Sequence, residues 1–286
     1  IGSTGMLGSA VIAQLSRSDV EIREASRTKG FEFDAERDSS EDLLLAAGLT
    51  SNDYVVNCVG LTKAHINEAD PSTVERAGRL NILFPIALAR AAEKSGVQVI
   101  QVATDCVFSG QDGNYTEASA HDAHDVYGKS KSMGEVRSEN VLHLRCSLVG
   151  PELAGRKSLF FEWVRGLDQG AIVDGFVDHN WNGLTSQTFG AIVSGIVEAK
   201  AVFSGVQHLV PADSSTKFEL VKMELDLLGR DDVTVREIVT GNKVDRSLGT
   251  GNPARNELMF KLGGFHVRPT IREMMEQLPW AELRVR

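Results

Sequence analysis

Tyr127 and Lys131 stand four residues apart in the run Asp125-Val-Tyr-Gly-Lys-Ser-Lys131. On a helix that spacing stacks both side chains on one face. An ammonium beside a phenol favours the phenolate, bringing the tyrosine down from about 10 towards the range useful to an acid/base catalyst. Chance pairing on a helix surface yields the same spacing, so the pair is weighed with its surroundings. Two companions matter. Thr104-Asp105, shortly upstream, can hydrogen-bond a substrate carbonyl or hydroxyl through Thr104, or simply cap a turn. A glycine-rich turn opens the chain.

That turn, Gly2-Ser-Thr-Gly5-Met-Leu-Gly8, precedes an amphipathic helical pattern over Met6–Leu15. Glycines between a strand and a helix allow positive φ and close backbone approach. The helix N-terminus then presents unpaired N–H groups to a pyrophosphate. Thr4, Met6 and Leu7 join the three glycines as predicted cofactor contacts; a tight structural turn is the alternative. At the end of the second predicted strand, an acid would bind the ribose hydroxyl of NAD and a base the 2′-phosphate of NADP. Glu24 falls slightly early, whereas Arg27, with Ser26, is well placed, so NADP(H) is favoured over NAD(H). Asp34, followed by Ala35, either accepts from an adenine amino group or caps a turn. Val59 and Gly60 close the third strand on the ligand face of such a sheet. Asn81 sits in an apolar helix, as a structural pin or a polar group near the reacting centre.

These residues must be carried by alternating strands and helices. Strands are predicted at Val20–Ala25, Asp53–Val59, Val97–Ala103 and Val141–Leu148, and the run Phe31-Glu-Phe33-Asp34-Ala35 closes a further short one. Helices are predicted from Pro71 to about Lys94 and from Val126 to about Ser138. The alternation points to a doubly wound parallel sheet, whose first strand would precede Ile1. In the less regular second half, helices are expected at Leu159–Leu167, Thr185–Ala199, Thr216–Leu228 and Thr270–Gln277, with a strand at Val206–Val210. The division expected is a dinucleotide-binding domain over residues 1–150 and a substrate-binding lobe over 151–286, part of which, about 180–200, returns to the first domain.

The chain has 286 residues, 42% of them hydrophobic, and a net charge of −9. That charge argues against a nucleic-acid or anionic-membrane partner. No apolar run reaches the roughly 18–20 residues of a membrane span. Cys58, Cys106 and Cys146 are odd in number, lie in apolar runs and lack metal spacing, which reads as reduced core thiols of a cytoplasmic protein. No metal site is predicted, and His143 and His179 are read as structural. A homodimer is the default assembly.

Taken together, Gly2-x-x-Gly5-x-x-Gly8, Thr104-Asp105, Tyr127-x-x-x-Lys131 and Leu144-Arg145-Cys-Ser resemble the extended short-chain dehydrogenase/reductase superfamily. The run Thr104-Asp-Cys-Val-Phe-Ser-Gly110, then Gly113-Asn-Tyr-Thr-Glu117, Gly134-Glu135 and Asn81 with Pro85, resembles its dTDP-4-dehydrorhamnose reductase-like branch. The resemblance implies a Rossmann-type α/β fold with a smaller C-terminal lobe for a nucleotide-linked sugar. It implies Thr104, Tyr127 and Lys131 as the catalytic group. Cys106, Val107 and Phe108, and further on Trp181, Asn182, Lys217 and Arg246, become expected substrate contacts. Trp181 could stack on a base, and the two cations could bind a diphosphate; the alternatives are a packing aromatic and surface charges. Cys106 stands where the rhamnose reductases carry an aromatic residue, and the proline usual before the catalytic tyrosine is absent.

The implied reaction is reduction of a keto group on a nucleotide-activated deoxysugar. A dehydratase of this superfamily has Asp-Glu after the threonine; here Cys106 follows Asp105, which argues against elimination of water. A 4-epimerase with bound NAD, and a non-catalytic NAD(P)-binding regulatory subunit, are the alternatives carried forward.

Overall fold

The computed structural model describes residues 1–152 and 160–283. In chain order the first half runs α1 (Met6–Leu15), β1 (Ala25–Ser26), β2 (Phe31–Glu32), α2 (Ser40–Ala46), β3 (Tyr54–Asn57), α3 (Pro71–Gly78), α4 (Phe84–Ser95), β4 (Gln98–Ala103), α5 (Val126–Met133), β5 (Val141–Arg145) and β6 (Leu148–Val149). The second half runs α6 (Phe160–Arg165), β7 (Ile172–Phe176), β8 (His179–Trp181), β9 (Leu184–Thr185), α7 (Ser186–Glu198), β10 (Gly205–His208), β11 (Ser215–Thr216), α8 (Lys217–Leu228), β12 (Thr234–Ile238), β13 (Val244–Asp245), α9 (Pro253–Leu262), α10 (Ile271–Glu276) and α11 (Trp280–Leu283).

The central sheet is parallel, in the order β10-β5-β4-β3. Ile1 and Gly2 carry it onward. Ile1 N donates to Val56 O at 2.8 Å, Cys58 N to Ile1 O at 3.1 Å, and Gly2 N to Ala25 O at 2.9 Å. β1 and β2 then pair beyond them. Helices cover both faces, so the inner strands are buried on both sides: β5 is buried at all five positions, His143 and Arg145 included. On one face Ile100, Leu142 and Leu144 pack with Val11 of α1 and Phe189 and Ile192 of α7. On the other, Val99 and Val141 pack with Leu44 of α2 and Leu88 of α4. This is the expected Rossmann-type α/β architecture. The smaller sheets β11-β8-β13 and β12-β7 lie in the second half.

Several boundaries differ from expectation for physical reasons. The strand predicted at Val20–Ala25 shortens to Ala25–Ser26, because Val20–Arg23 have no ladder partner among the described residues. The strand predicted at Val141–Leu148 breaks after Arg145; Leu148 leaves the central sheet and pairs with Leu184. The helix predicted from Pro71 to Lys94 contains a π-helical turn over Arg79–Leu83. The helix carrying Tyr127 ends at Met133 rather than near Ser138, since Gly134 packs directly on the Asn81 carbonyl, where any Cβ would overlap it. Of the helix predicted at Leu159–Leu167, Phe160–Arg165 is helical and Leu159 lies outside the described residues.

Candidate active site

The sheet's C-terminal edge opens into a cleft of about 890 Å³, towards the upper end of volumes usual for ligand sites. Its floor at one end is the first turn. Gly2 has φ +77°, and a Cβ on Gly8 would overlap the Gly2 carbonyl, so α1 can begin this close to the turn only with glycines there. Gly5 caps α1 without a side-chain hydrogen bond, and no acid occupies the first helical turn. The leading N–H groups are therefore available to an anion, and Thr4, Met6 and Leu7 line the cleft beside Gly2 and Gly5. Gly8 supports the turn from behind.

At the far end stand Thr104, Tyr127 and Lys131, all lining the same cleft. Thr104 caps a short 3-10 turn by accepting from Cys106 N at 3.1 Å. Asp125 caps α5 by accepting from Gly128 N at 2.7 Å. Gly128 lies against the Cys106 carbonyl, where a Cβ would overlap it, so the helix bearing Tyr127 seats directly on the turn bearing Thr104. Lys131 is 9% exposed and donates from Nζ to Val102 O at 2.9 Å. Asn81 settles as a pin. It accepts from Leu61 N at 2.8 Å and donates to Leu61 O and Ser130 Oγ at 3.0 Å each. It thereby ties the loop after β3 to α5, and Gly60 sits against both its Oδ1 and Lys131 Nζ.

The electrostatics revise the first expectation for the pair. Burial pushes the Tyr127 phenol well up, the Cys106 thiol adds to this, and the Thr104 hydroxyl opposes it; Lys131 is not among the groups acting on it. The protein alone holds Tyr127 as a neutral phenol, the proton-bearing form. Burial lowers Lys131 to about 8, against a smaller upward pull from Glu135. Asp105 is raised by burial, with Arg246 and Lys217 opposing. Cys106 is pushed up to about 12 and Cys58 to about 11, both chiefly by burial, so neither is a ready nucleophile. All three cysteines are free.

Ser26, Arg27, Asp34, Ala35, Val59 and Gly60 all stand in the cleft wall. The Ser26 hydroxyl is engaged in its own turn, donating to Lys29 O at 3.0 Å and accepting from Lys29 N at 2.8 Å. Glu24 pairs with Lys29 at 2.8 Å and does not line this cleft. Asp34 accepts from Glu36 N at 3.0 Å and so caps a turn. Arg27 is exposed at the rim and takes part in none of the hydrogen bonds or ion pairs found among the described residues.

The expected substrate contacts divide. Cys106 lines the cleft. Val107 and Phe108 do not: both are fully buried, and Phe108 stacks on Tyr115 at 4.3 Å. Trp181 is corrected from a base-stacking surface to a core residue, 4% exposed and packed in the main cluster. Asn182 is likewise a pin, holding Leu248 through its backbone N at 2.8 Å and O at 2.7 Å. Lys217 lies over Phe160 and Trp181, at 5.2 and 5.8 Å from their ring centres. Arg246 donates to Phe108 O at 2.9 Å. Neither cation forms the cleft wall itself, although both act on Asp105.

Other groups at the cleft escaped the sequence reading. Arg76 grips Glu36 with Nη2 at 2.8 Å and Nε at 3.1 Å, and both line the cleft. Lys63 pairs with Asp125 at 2.7 Å, and Glu68 accepts from Val126 N at 2.8 Å, strapping the loop after β3 over the start of α5. These partners are 40, 62 and 58 residues apart, so no local pattern marks them. Among the described residues no His/Cys/Asp/Glu group could hold a metal ion. No described helix is long and apolar enough to cross a membrane.

Comparison with known proteins follows the same lines. The family model described as the RmlD substrate binding domain matches residues 1–247. The dTDP-4-dehydrorhamnose reductase of Mycobacterium tuberculosis (strain H37Rv) is 31% identical over 142 residues, which is 47% of this chain and 42% of that protein. Methionine adenosyltransferase 2 subunit beta of Mus musculus is 29% identical over 142 residues, 47% of this chain and 40% of that protein. The matched stretch thus spans about two fifths of these curated relatives. The crystal structure of the Bacillus anthracis dTDP-4-dehydrorhamnose reductase in complex with NADP superposes with a TM-score of 0.77 at 19% identity, covering 97% of this chain and 96% of that one.

Proposed function

Because the chain belongs to the RmlD substrate binding domain family, we propose that it reduces a keto group on a nucleotide-linked deoxysugar with a nicotinamide cofactor. The observation that carries this is the meeting of Thr104, Tyr127 and Lys131 in one cleft with an uncapped, glycine-walled helix N-terminus at its other end. When bound, the cofactor would supply the hydride. Its pyrophosphate suits the N–H groups of α1 and its 2′-phosphate suits Arg27, so NADP(H) is preferred over NAD(H). Residues 1–150 would hold it, and residues 151–286 mainly the sugar nucleotide. The free thiols fit a reducing, cytoplasmic setting.

Within this reading each residue has a role its geometry permits. Thr104 Oγ1 hydrogen-bonds the carbonyl oxygen and places it beside the phenol. Tyr127, held neutral by burial, donates its proton to that oxygen as charge develops there. Lys131, anchored on Val102 O, would hold the nicotinamide ribose through its ammonium. Asn81 keeps Gly60 and α5 in register around this group.

A spectrophotometric screen of NADPH and NADH oxidation against dTDP-, GDP- and UDP-linked 4-keto-6-deoxysugars tests the reading. NADPH is expected to be consumed stoichiometrically with one of them, and Tyr127→Phe to lower kcat by about 10²–10⁴-fold. Near-normal turnover by Tyr127→Phe would remove the assignment. Retained NAD with no net change in the nicotinamide band would point to the epimerase instead. The match to a methionine adenosyltransferase subunit favours a second reading, a cofactor-binding regulatory subunit. NADPH binding without turnover of any sugar nucleotide would support that one.

A further inference from the structure

The Thr104 hydroxyl has one proton and two lone pairs to place. One lone pair accepts from Cys106 N at 3.1 Å. Its other hydrogen bond among the described residues is with Asp105 Oδ1, 3.2 Å away and buried at both ends. Asp105 is 7% exposed and stands in the cleft wall beside Thr104, and the same oxygen faces the Cys106 thiol at 3.7 Å. An ionised carboxylate only accepts, so it takes the Thr104 proton and leaves that hydroxyl one free lone pair. A protonated carboxyl donates instead. Both lone pairs of Thr104 are then filled, and its proton is free for a third partner.

A ketone oxygen accepts hydrogen bonds and offers none, so only the second state serves it. From the reading of Thr104 as the group that places a sugar ketone, we propose that Asp105 is a positioning residue for the reaction: as a neutral acid it donates to Thr104 Oγ1 and directs that hydroxyl's proton to the carbonyl oxygen, and as a carboxylate it draws the proton away. No proton leaves Asp105 in the reaction; Tyr127 remains the donor. Burial favours the neutral acid, while Arg246, in the loop after β13, and Lys217, at the start of α8, oppose it. The other titratable groups that face Asp105 are uncharged: the Cys106 thiol, Tyr127 on α5 and Cys146 after β5. On α5 and at its cap, Lys131 is engaged with Val102 O and Asp125 with Lys63.

The first test needs neither cofactor nor sugar. Protein labelled with ¹³Cγ-aspartate is titrated by NMR, the Asp105 signal being assigned by its loss in Asp105→Asn. The wild-type midpoint is expected above the roughly 3.9 of a free aspartate. In Thr104→Val it is expected to rise further, because the carboxylate loses a donor. A midpoint at or below the free value, or one that Thr104→Val leaves unchanged, overturns the proposal. With a sugar nucleotide that turns over, kcat/KM is expected to fall as pH rises through that same midpoint, since the competent form is the neutral acid. Asp105→Ala should lower kcat about tenfold. Asp105→Asn, whose amide can donate to Thr104, should recover most of that loss and lack the pH limb. A limb that persists in Asp105→Asn, or an Asn variant no better than the Ala variant, also overturns the proposal. A wild-type protein inactive on every sugar nucleotide would refute the proposed reaction and leave the titration to decide whether Asp105 directs Thr104.

Discussion

A 2′-phosphate beside Arg27 would gain a charge-assisted hydrogen bond that a 2′-hydroxyl cannot match. Removing it in Arg27→Ala should raise KM for NADPH about 10–100-fold, from the roughly 1.5–3 kcal/mol of such a bond, and leave KM for NADH nearly unchanged. Steady-state kinetics with both cofactors decide it; equal losses would mean that Arg27 supports the fold instead. At this scale the sequence was informative where chemistry is local. Tyr127, Lys131, Thr104 and the glycines are recognisable because one helix or one turn sets their geometry. Trp181, Asn182, Val107 and Phe108 misled because burial is decided by distant packing.

Gly128 determines how closely α5 approaches the turn that holds Thr104. Gly128→Ala would set a methyl group against the Cys106 carbonyl and lift the helix, and with it Tyr127. A displacement of the order of 1 Å at a reacting group costs about 10²-fold, so kcat should fall by about that factor with the far-ultraviolet circular dichroism unchanged. Wild-type kcat would show that the helix can slide without penalty. Helix starts carry local signals: Asp125, Thr185, Thr216 and Thr270 each accept from a backbone N–H of the first turn. The end of α5 carries none, because Gly134 stops there to meet a carbonyl 53 positions earlier in the chain. The π-helical turn that presents this carbonyl has no sequence signature of its own.

Across the whole molecule, the cleft is shared by residues of β1, β4, β6, α1, α3 and α5 and by Phe160 of α6. A ligand that bridges so many elements should stabilise them together. NADPH at about 100 times its Kd adds roughly 2.7 kcal/mol by mass action, or on the order of 5–10 °C in Tm for a chain of this size. NADH at the same concentration should add less. Thermal unfolding monitored with each cofactor checks this, and the absence of any shift would count against the cleft as a dinucleotide site. The alternation of strands and helices gave the parallel sheet in advance. Its order could not be read, since nothing local tells Gly205–His208 to pair with Leu142–Arg145.

That pairing also governs how the chain can be made. β10 completes the sheet at β5 and delivers His208 to Arg145 in the same step. Until about 60 further residues have been synthesised, β5 stands as an open edge with its hydrogen-bonding groups exposed. A ribosome building this protein therefore releases an unfinished sheet, adhesive to other strands, and closes it late. A truncation near residue 150 would leave that edge uncovered for good. It would be expected to aggregate, not to persist as a free nucleotide-binding module.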